Sequence, residues 1–194
     1  MSAPRTIAVL VGSLRKESLS RKVALALTEL APANLKLKIV EIGDLPLYNE
    51  DVEAAGAPAA WARFRDEVRP TDGVIFVTPE YNRSVPGALK NAIDVGSRPY
   101  GASVYAGKPA AVISQSPGAL GGFGANHHLR QSLVFLDMPI LQQPEAYLNH
   151  TGGWFDEAGK LTDDKAREFL TKILSAFAAH VDKHVAAPRA LAAA

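Results

Sequence analysis

Residues 72–93 read DGVIFVTPEYNRSVPGALKNAI, and this stretch decides the fold. The apolar run at 73–77 is bounded by turn residues and predicts a buried strand. Pro79 ends that strand, because proline has no backbone N–H to donate to a neighbouring strand. Pro86 and Gly87 then open a helix, since proline is favoured in the first helical turn. In an open α/β sheet such a junction is where ligands bind, so a binding site is predicted here.

The same alternation of apolar runs and helical periodicity extends along the chain and predicts a parallel sheet covered by helices. Strands are predicted at 7–11, 35–42, 73–77, 109–114 and 138–141. Other helices are predicted from about Ser20 to the residue before Pro32, over 58–68, over 126–136 and over 162–183. Five strands without a sixth unit favour the order 2-1-3-4-5. We therefore expect an α/β, flavodoxin-like fold, with a three-layer, doubly wound, five-stranded parallel sheet.

Composition limits the classes of function. The chain has 194 residues, 47% of them hydrophobic, so we expect a single domain over 1–185 and a disordered alanine-rich tail at 186–194. A net charge of +1 gives no broad field, so neither nucleic acid nor a membrane surface is an expected partner. The absence of cysteine excludes disulfides and thiolate chemistry. No apolar stretch approaches the roughly 20 residues of a membrane span and no signal segment is evident, so we expect a cytoplasmic protein.

A second loop at the same edge of the sheet is suited to phosphate. Residues 12–21, GSLRKESLSR, follow the first strand and lead into the first helix. Helix N-terminal amides, serine hydroxyls and Arg15 can together hold a dianion. The loop has neither the Walker pattern nor the glycine fingerprint of dinucleotide folds. Plain helix capping by Ser18 or Ser20 is the alternative interpretation.

The histidines do not predict a metal site. His180 and His184 have the i, i+4 spacing that puts two imidazoles on one helix face, but no third ligand is evident. We expect them on a solvated face near the end of the last helix. His127 and His128 diverge by about 100° around a helix and do not chelate, so packing or a subunit contact is expected of them.

Together, the two loops resemble a known family. GSLR at 12–15 and PEYNxSxPGxLKNAID at 79–94 closely resemble the NAD(P)H-dependent FMN reductases, which include quinone reductases, chromate reductases and azoreductases. The resemblance covers about residues 7–177. It implies an enzyme that passes a hydride from NADH or NADPH through bound FMN to quinones, free flavin, azo dyes or chromate in a ping-pong cycle. A flavodoxin-type electron carrier, which the lack of acidic charge disfavours, and a noncatalytic flavin-binding module are the alternatives.

The resemblance also implies roles for individual residues. The residues expected around FMN are Ser13, Arg15, Ser18 and Ser20 at the phosphate and ribityl chain, and Pro79, Glu80, Tyr81, Asn82, Ser116 and Gly118 along the ring. Asn82 is expected near the flavin N5, and family members often have asparagine in place of Ser20. No side chain is expected to act as acid, base or nucleophile, because the flavin itself performs hydride chemistry. Arg98 is a candidate substrate contact, no metal is expected, and a homodimer or homotetramer is implied.

Overall fold

The computed structural model describes residues 4–185, and the tail expected at 186–194 lies outside this range. The strands within it are β1 (Arg5–Val11), β2 (Leu35–Val40), β3 (Gly73–Thr78), β4 (Ala110–Gln115) and β5 (Ala146–Leu148). All neighbouring strands pair in parallel, in the order β2-β1-β3-β4-β5. This confirms the predicted sheet and its strand order.

Helices cover both faces of the sheet. They are α1 (Leu19–Leu30), α2 (Glu50–Ala55), α3 (Ala59–Val68), α4 (Gly87–Gly96), α5 (Phe123–Phe135) and α6 (Asp164–Val185), with a 3-10 turn at Thr151–Gly153. Helix α2 was not predicted, because it buries none of its residues and so has no apolar periodicity. No helix within residues 4–185 combines the length and apolar character needed to cross a membrane.

The fifth strand lies elsewhere than predicted. Residues 138–141 form a single bridge, between Ile140 and Ala110, whereas β5 pairs fully with the end of β4, with Tyr147 opposite Ser114. The prediction is wrong because both short apolar runs after α5 contact β4, and periodicity does not say which of them pairs with it over several residues. The observed strand brings the turn at Thr151–Gly153 beside the end of β4, where the Thr151 hydroxyl contacts the Gln115 side chain.

The core has two halves because successive strand residues point to opposite faces. On β3, Ile75 and Val77 join the apolar cluster formed with α1 and α6, whereas Val74 and Phe76 join the cluster formed with α3, α4 and α5. All four side chains are fully buried. The sheet is therefore the middle of three layers and fixes where the strand ends lie.

One side chain of α4 holds the connection between β2 and α2. The buried amide of Asn91 accepts a hydrogen bond from the Tyr48 backbone N–H at 2.8 Å. It donates to the carbonyl oxygens of Leu45 at 3.1 Å and Pro46 at 3.0 Å. A segment without regular structure is thereby attached to the helix that follows the predicted site.

Candidate functional site

The carboxyl ends of β1, β3 and β4 open into one cleft of about 310 Å³. It is lined by Ser13, Arg15, Ser18, Leu19, Pro79, Glu80, Tyr81, Gln115, Ser116 and Pro117. Three loops from distant parts of the chain thus meet at one edge of the sheet, as the carboxyl ends of parallel strands do in open α/β folds. Among the predicted cofactor residues, Ser20, Asn82 and Gly118 do not line the cleft. Sequence reasoning missed Leu19, Gln115 and Pro117.

One end of the cleft is the N-terminus of α1. Ser18 caps this helix, because its hydroxyl oxygen accepts a hydrogen bond from the Arg21 N–H at 3.1 Å. The Arg21 guanidinium is held by the Glu41 carboxylate at 2.7 and 3.1 Å, and these hydrogen bonds raise its pKa. Arg15 is exposed, and within residues 4–185 no acidic side chain pairs with it. The capping interpretation holds for Ser18, and Arg15 is left as the available cation beside the positive helix end.

Ser20 lies behind the wall of the cleft. Its buried hydroxyl oxygen accepts a hydrogen bond from the Gln115 side-chain amide at 2.8 Å, and the Gln115 carbonyl oxygen accepts one from the Thr151 hydroxyl at 2.8 Å. This chain of buried hydrogen bonds ties α1 to the end of β4 and to the turn after β5. The contact of Ser20 with a ribityl chain stays a prediction.

The turn after β3 is strained. Tyr81 and Ser84 exchange two backbone hydrogen bonds of 3.1 and 2.9 Å, which close a two-residue turn over Asn82 and Arg83. Their φ angles are 51° and 62°, and a type I′ turn requires positive values at both positions. Asparagine tolerates this conformation, whereas arginine rarely adopts it. Asn82 is exposed at the tip, and Tyr81, 54% exposed, stands at the edge of the cleft.

The same turn is attached to α5. One oxygen of the Glu80 carboxylate accepts a hydrogen bond from the Ala125 N–H at 2.9 Å, and the other lies 3.0 Å from the Arg83 guanidinium. The Ser84 hydroxyl lies 2.7 Å from Nδ1 of His128. The carboxylate therefore complements the positive N-terminus of α5, and its contact with a flavin ring stays a prediction.

The loop after β4 forms the opposite wall. The Ser116 hydroxyl accepts a hydrogen bond from the Gly118 N–H at 3.0 Å, and Gly118 itself is exposed. Further along, Gly121 has φ +57°, and a Cβ there would lie 2.6 Å from the backbone of Tyr147. This close approach requires glycine and fixes the loop against β5.

Arg98 lies outside the cleft. It lines a larger cavity of about 400 Å³ between α4 and α5, together with Lys90, His128 and Phe135. Its Nη1 lies 3.2 Å from the Ser97 hydroxyl of its own loop. This cavity is larger than the cleft, but the N-terminus of α1 lies at the cleft and not at this cavity. The smaller cleft therefore has the better donors for a phosphate.

The histidine pair is more enclosed than predicted. His180 is partly buried, its Nε2 lies 2.9 Å from the Pro139 carbonyl oxygen, and burial lowers its pKa. His184 Nδ1 lies 2.8 Å from the carbonyl oxygen of His180. In the described part of the chain, no three histidine, aspartate or glutamate side chains come together in a group that could hold a metal ion.

The donors of the cleft fit a flavin mononucleotide. A free guanidinium, the Ser13 hydroxyl and the α1 N-terminus suit a phosphate at one end, and Pro79, Tyr81 and Pro117 offer flat surfaces at the other. The strand order and this cleft define a flavodoxin-like protein of the flavin-binding class.

Comparison with known proteins identifies the family. The model of the NADPH-dependent FMN reductase family matches residues 5–153. A quinone reductase of Pseudomonas putida is 67% identical over 181 residues, which are 93% of this chain and 97% of the relative. A 2-hydroxy-1,4-benzoquinone reductase of a Burkholderia species is 43% identical over 90% of this chain and 95% of its own. The chain therefore belongs to the NADPH-dependent FMN reductase family and is an oxidoreductase.

A solved structure agrees with this assignment. The flavoenzyme FerB of Paracoccus denitrificans, described as an NAD(P)H:(acceptor) oxidoreductase, superposes with a TM-score of 0.87 at 43% identity. The match covers 93% of this chain and 98% of FerB. The flavodoxin-like fold is thus shared over nearly the full length of both proteins.

Proposed function

We propose that this protein uses NADH or NADPH to reduce quinones and similar small acceptors, with FMN bound in the cleft at the ends of β1, β3 and β4. Bound FMN would supply the hydride and electron chemistry of a ping-pong cycle, and the residues of the cleft would bind and orient it. The observation that carries the proposal is the meeting of Arg15, the α1 N-terminus and Tyr81 in one cleft. The names of the quinone reductase relatives support it.

At the phosphate end, three groups of this chain act together. Arg15 supplies a positive charge that no acidic side chain of the described residues neutralises, and Ser13 supplies a hydroxyl donor. The N-terminus of α1 adds oriented backbone N–H groups. Charge-assisted hydrogen bonds of this kind are about twice as strong as neutral ones, so this end is expected to provide most of the affinity for the mononucleotide.

At the ring end, the protein supplies shape and electrostatics. Pro79 and Tyr81 come from one wall and Ser116 and Pro117 from the other. The backbone N–H groups of Tyr81 and Ser116 already bond to the carbonyl oxygens of Ser84 and Leu148, so they hold the walls in place. A contact of the exposed Asn82 side chain with the flavin N5 stays a prediction. Glu80 adds no free negative charge at this point, because Arg83 and the Ala125 N–H hold its carboxylate.

The range of electron acceptors that we propose follows from the exposure of Tyr81 at the cleft edge. Tyr81 is 54% exposed, so the cleft edge is open and discriminates poorly among small flat molecules. Quinones are the acceptors that the named relatives support. Free flavin, azo dyes and chromate, and a substrate contact by Arg98, stay predictions.

We also propose a homodimer or homotetramer located in the cytoplasm. Val134 and Phe135 at the end of α5 are 70% and 73% exposed, and adjacent apolar side chains of this size support a subunit contact. The cytoplasmic location rests on the need for NADH or NADPH as reductant. Analytical ultracentrifugation of the wild type and of Phe135→Asp tests the assembly, and a monomeric wild type would contradict it.

The deciding experiment combines a spectrum with turnover. The purified protein, supplied with FMN, is expected to show a flavin absorption spectrum and to oxidise NADH or NADPH rapidly when a benzoquinone is present. A flavin-loaded protein without turnover would favour the carrier or the noncatalytic module. A colourless protein that does not bind FMN would overturn the proposal.

A further inference from the structure

We propose that Glu80 is a positioning residue, which holds the turn of residues 81–84 against α5 and so determines where Tyr81 and Asn82 stand at the cleft. This inference rests on the proposed function, because it concerns the flavin end of the same site. It goes beyond a direct contact, since the carboxylate acts through the turn and not on the cofactor.

The first support is the double engagement of the carboxylate. One oxygen accepts the Ala125 N–H at 2.9 Å and the other pairs with Arg83 at 3.0 Å. The Glu80 side chain is 13% exposed, whereas that of Arg83 is 71% exposed. The carboxylate is therefore the enclosed centre of the contact, and the arginine covers it from the solvent side.

The second support is the strain in the turn. Asn82 and Arg83 have φ angles of 51° and 62°, and two consecutive non-glycine residues in this region persist only when surrounding contacts hold them. Those contacts are the Glu80 carboxylate and the 2.7 Å contact of Ser84 with His128. Both contacts are made with residues of α5, so this helix stabilises the strained turn.

The third support is the close approach at Gly124. A Cβ at this position would lie 2.8 Å from the Arg83 carbonyl oxygen and 2.9 Å from the Glu80 carboxylate. Only glycine allows the first turn of α5 to come this close to the turn after β3. The turn after β3 therefore provides the carboxylate of Glu80, and α5 provides a glycine that leaves room for it.

If the carboxylate is removed, the turn loses one of its two attachments to α5, while the contact of Ser84 with His128 and the backbone hydrogen bonds of the turn remain. Tyr81 and Asn82 are then held in place less firmly, although Arg15 and the α1 N-terminus are untouched. The expected result is a flavin that still binds through its phosphate but has an altered environment at its ring.

The test compares Glu80→Ala, Glu80→Gln and a matched control, Asp163→Ala. Asp163 also accepts a helix N-terminal hydrogen bond, from the Ala166 N–H at 2.8 Å, but it precedes α6 and does not line the cleft. Both alanine variants lose a helix-capping carboxylate, so both should lose stability. Glutamine keeps an acceptor for the Ala125 N–H but loses the ion pair with Arg83, so Glu80→Gln should restore part of what Glu80→Ala loses.

Two readouts separate positioning from mere capping. Without FMN, trypsin should cleave after Arg83 about tenfold faster in Glu80→Ala than in the wild type, because cleavage follows local opening. With FMN, Glu80→Ala should shift the flavin absorption band and the midpoint potential and lower kcat more than it changes the KM for the acceptor. Asp163→Ala should show neither effect.

The outcomes are distinct. Trypsin cleavage after Arg83 at the wild-type rate in Glu80→Ala would overturn the inference. So would a flavin spectrum, potential and kcat equal to those of Asp163→Ala. If the wild-type protein binds no FMN, the proposed function is overturned, and the flavin-positioning role with it. That result differs from a holoenzyme that forms normally but whose properties do not change in Glu80→Ala.

Discussion

Gln115 and Ser20 are 95 residues apart in the sequence, yet the Gln115 amide donates to the Ser20 hydroxyl at 2.8 Å in the interior of the protein. The Thr151 hydroxyl completes the contact on the other side of the glutamine. Since Gln115 also lines the cleft, this pair connects the protein interior with the candidate site. The buried amide therefore adds a specific hydrogen bond to the apolar packing that holds α1 against β4.

Ser20→Ala should lower the free energy of unfolding by about 1–3 kcal/mol, because it leaves the buried Gln115 amide without its acceptor. Urea denaturation measures this change. The matched control is Ser175→Ala on α6, whose exposed hydroxyl bonds only to the Thr171 carbonyl oxygen and whose loss should cost no more than about 0.5 kcal/mol. Equal effects of the two substitutions would contradict the importance of the buried pair.

Arg15→Ala should weaken FMN binding about 10- to 100-fold, the loss expected for one charge-assisted contact with phosphate. Riboflavin, which lacks the phosphate, should bind the variant and the wild type equally. Arg21→Ala is the control, because Arg21 lies in the first turn of α1 but its guanidinium is already held by Glu41. Fluorescence titration with both ligands measures the affinities, and equal losses for FMN and riboflavin would show that Arg15 does not meet the phosphate.

Gly96→Ala should destabilise the protein by about 1–3 kcal/mol through overpacking. A Cβ at Gly96 would lie 2.5 to 2.7 Å from the ring of Tyr105, which is fully buried and whose hydroxyl donates to the Ala92 carbonyl oxygen. Gly87→Ala, at the start of the same helix, meets nothing within 4 Å and should leave stability unchanged or slightly raised. Thermal unfolding compares the two, and a Gly96→Ala protein as stable as Gly87→Ala would be inconsistent with the packing described.

Stability should fall as the pH drops below about 6.5, the ordinary pKa of histidine. Burial lowers the pKa of His180 in the folded protein, and the neighbouring His184 and Lys183 also lower it, although the hydrogen bond to Pro139 opposes them. The unfolded chain then binds the proton more readily than the folded protein does. The stability that neutral His180 contributes is therefore fully present above about pH 6.5, and it is lost as the pH falls towards the lower pKa of the folded state.

His180→Gln should reduce the slope of melting temperature against pH in that window, because glutamine keeps a donor for the Pro139 carbonyl oxygen but does not titrate. The effect is small, since the side chain is only partly buried. His150→Asn, at an exposed position with φ 49° that asparagine tolerates, is the matched control. A slope identical in His180→Gln and wild type would exclude His180 as its source.

The sequence was sufficient for the sheet because its signals are local. A continuous apolar run marks β1, β3 and β4, and an alternation of leucine and lysine marks β2. The strand order follows from the number of strands. Helix α2 was not predicted because none of its residues is buried and it therefore has no apolar periodicity. Its N-cap, Asn49, and its acidic first turn were the signals that could have indicated it. The fifth strand was misplaced to 138–141 because both apolar runs contact β4, and only the folded chain shows which of them pairs with it over several residues.

At the candidate site, too, the sequence indicates contacts between neighbouring residues but not contacts between distant ones. The turn at 81–84 and the Ser18 cap depend on residues within a few positions of each other, so the sequence indicates them directly. The partnership of Ser20 with Gln115 and that of Glu80 with Ala125 join residues 95 and 45 positions apart. No spacing rule links such residues, and only the folded chain shows that they meet.

The attachment made by Asn91 has a consequence for motion. Because one side chain carries the bonds to Leu45, Pro46 and Tyr48, the connection before α2 and helix α4 should open together as a single cooperative unit. In deuterated solvent, the Tyr48 amide should then exchange as slowly as the amides in the middle of α4, although Tyr48 itself belongs to no helix or strand.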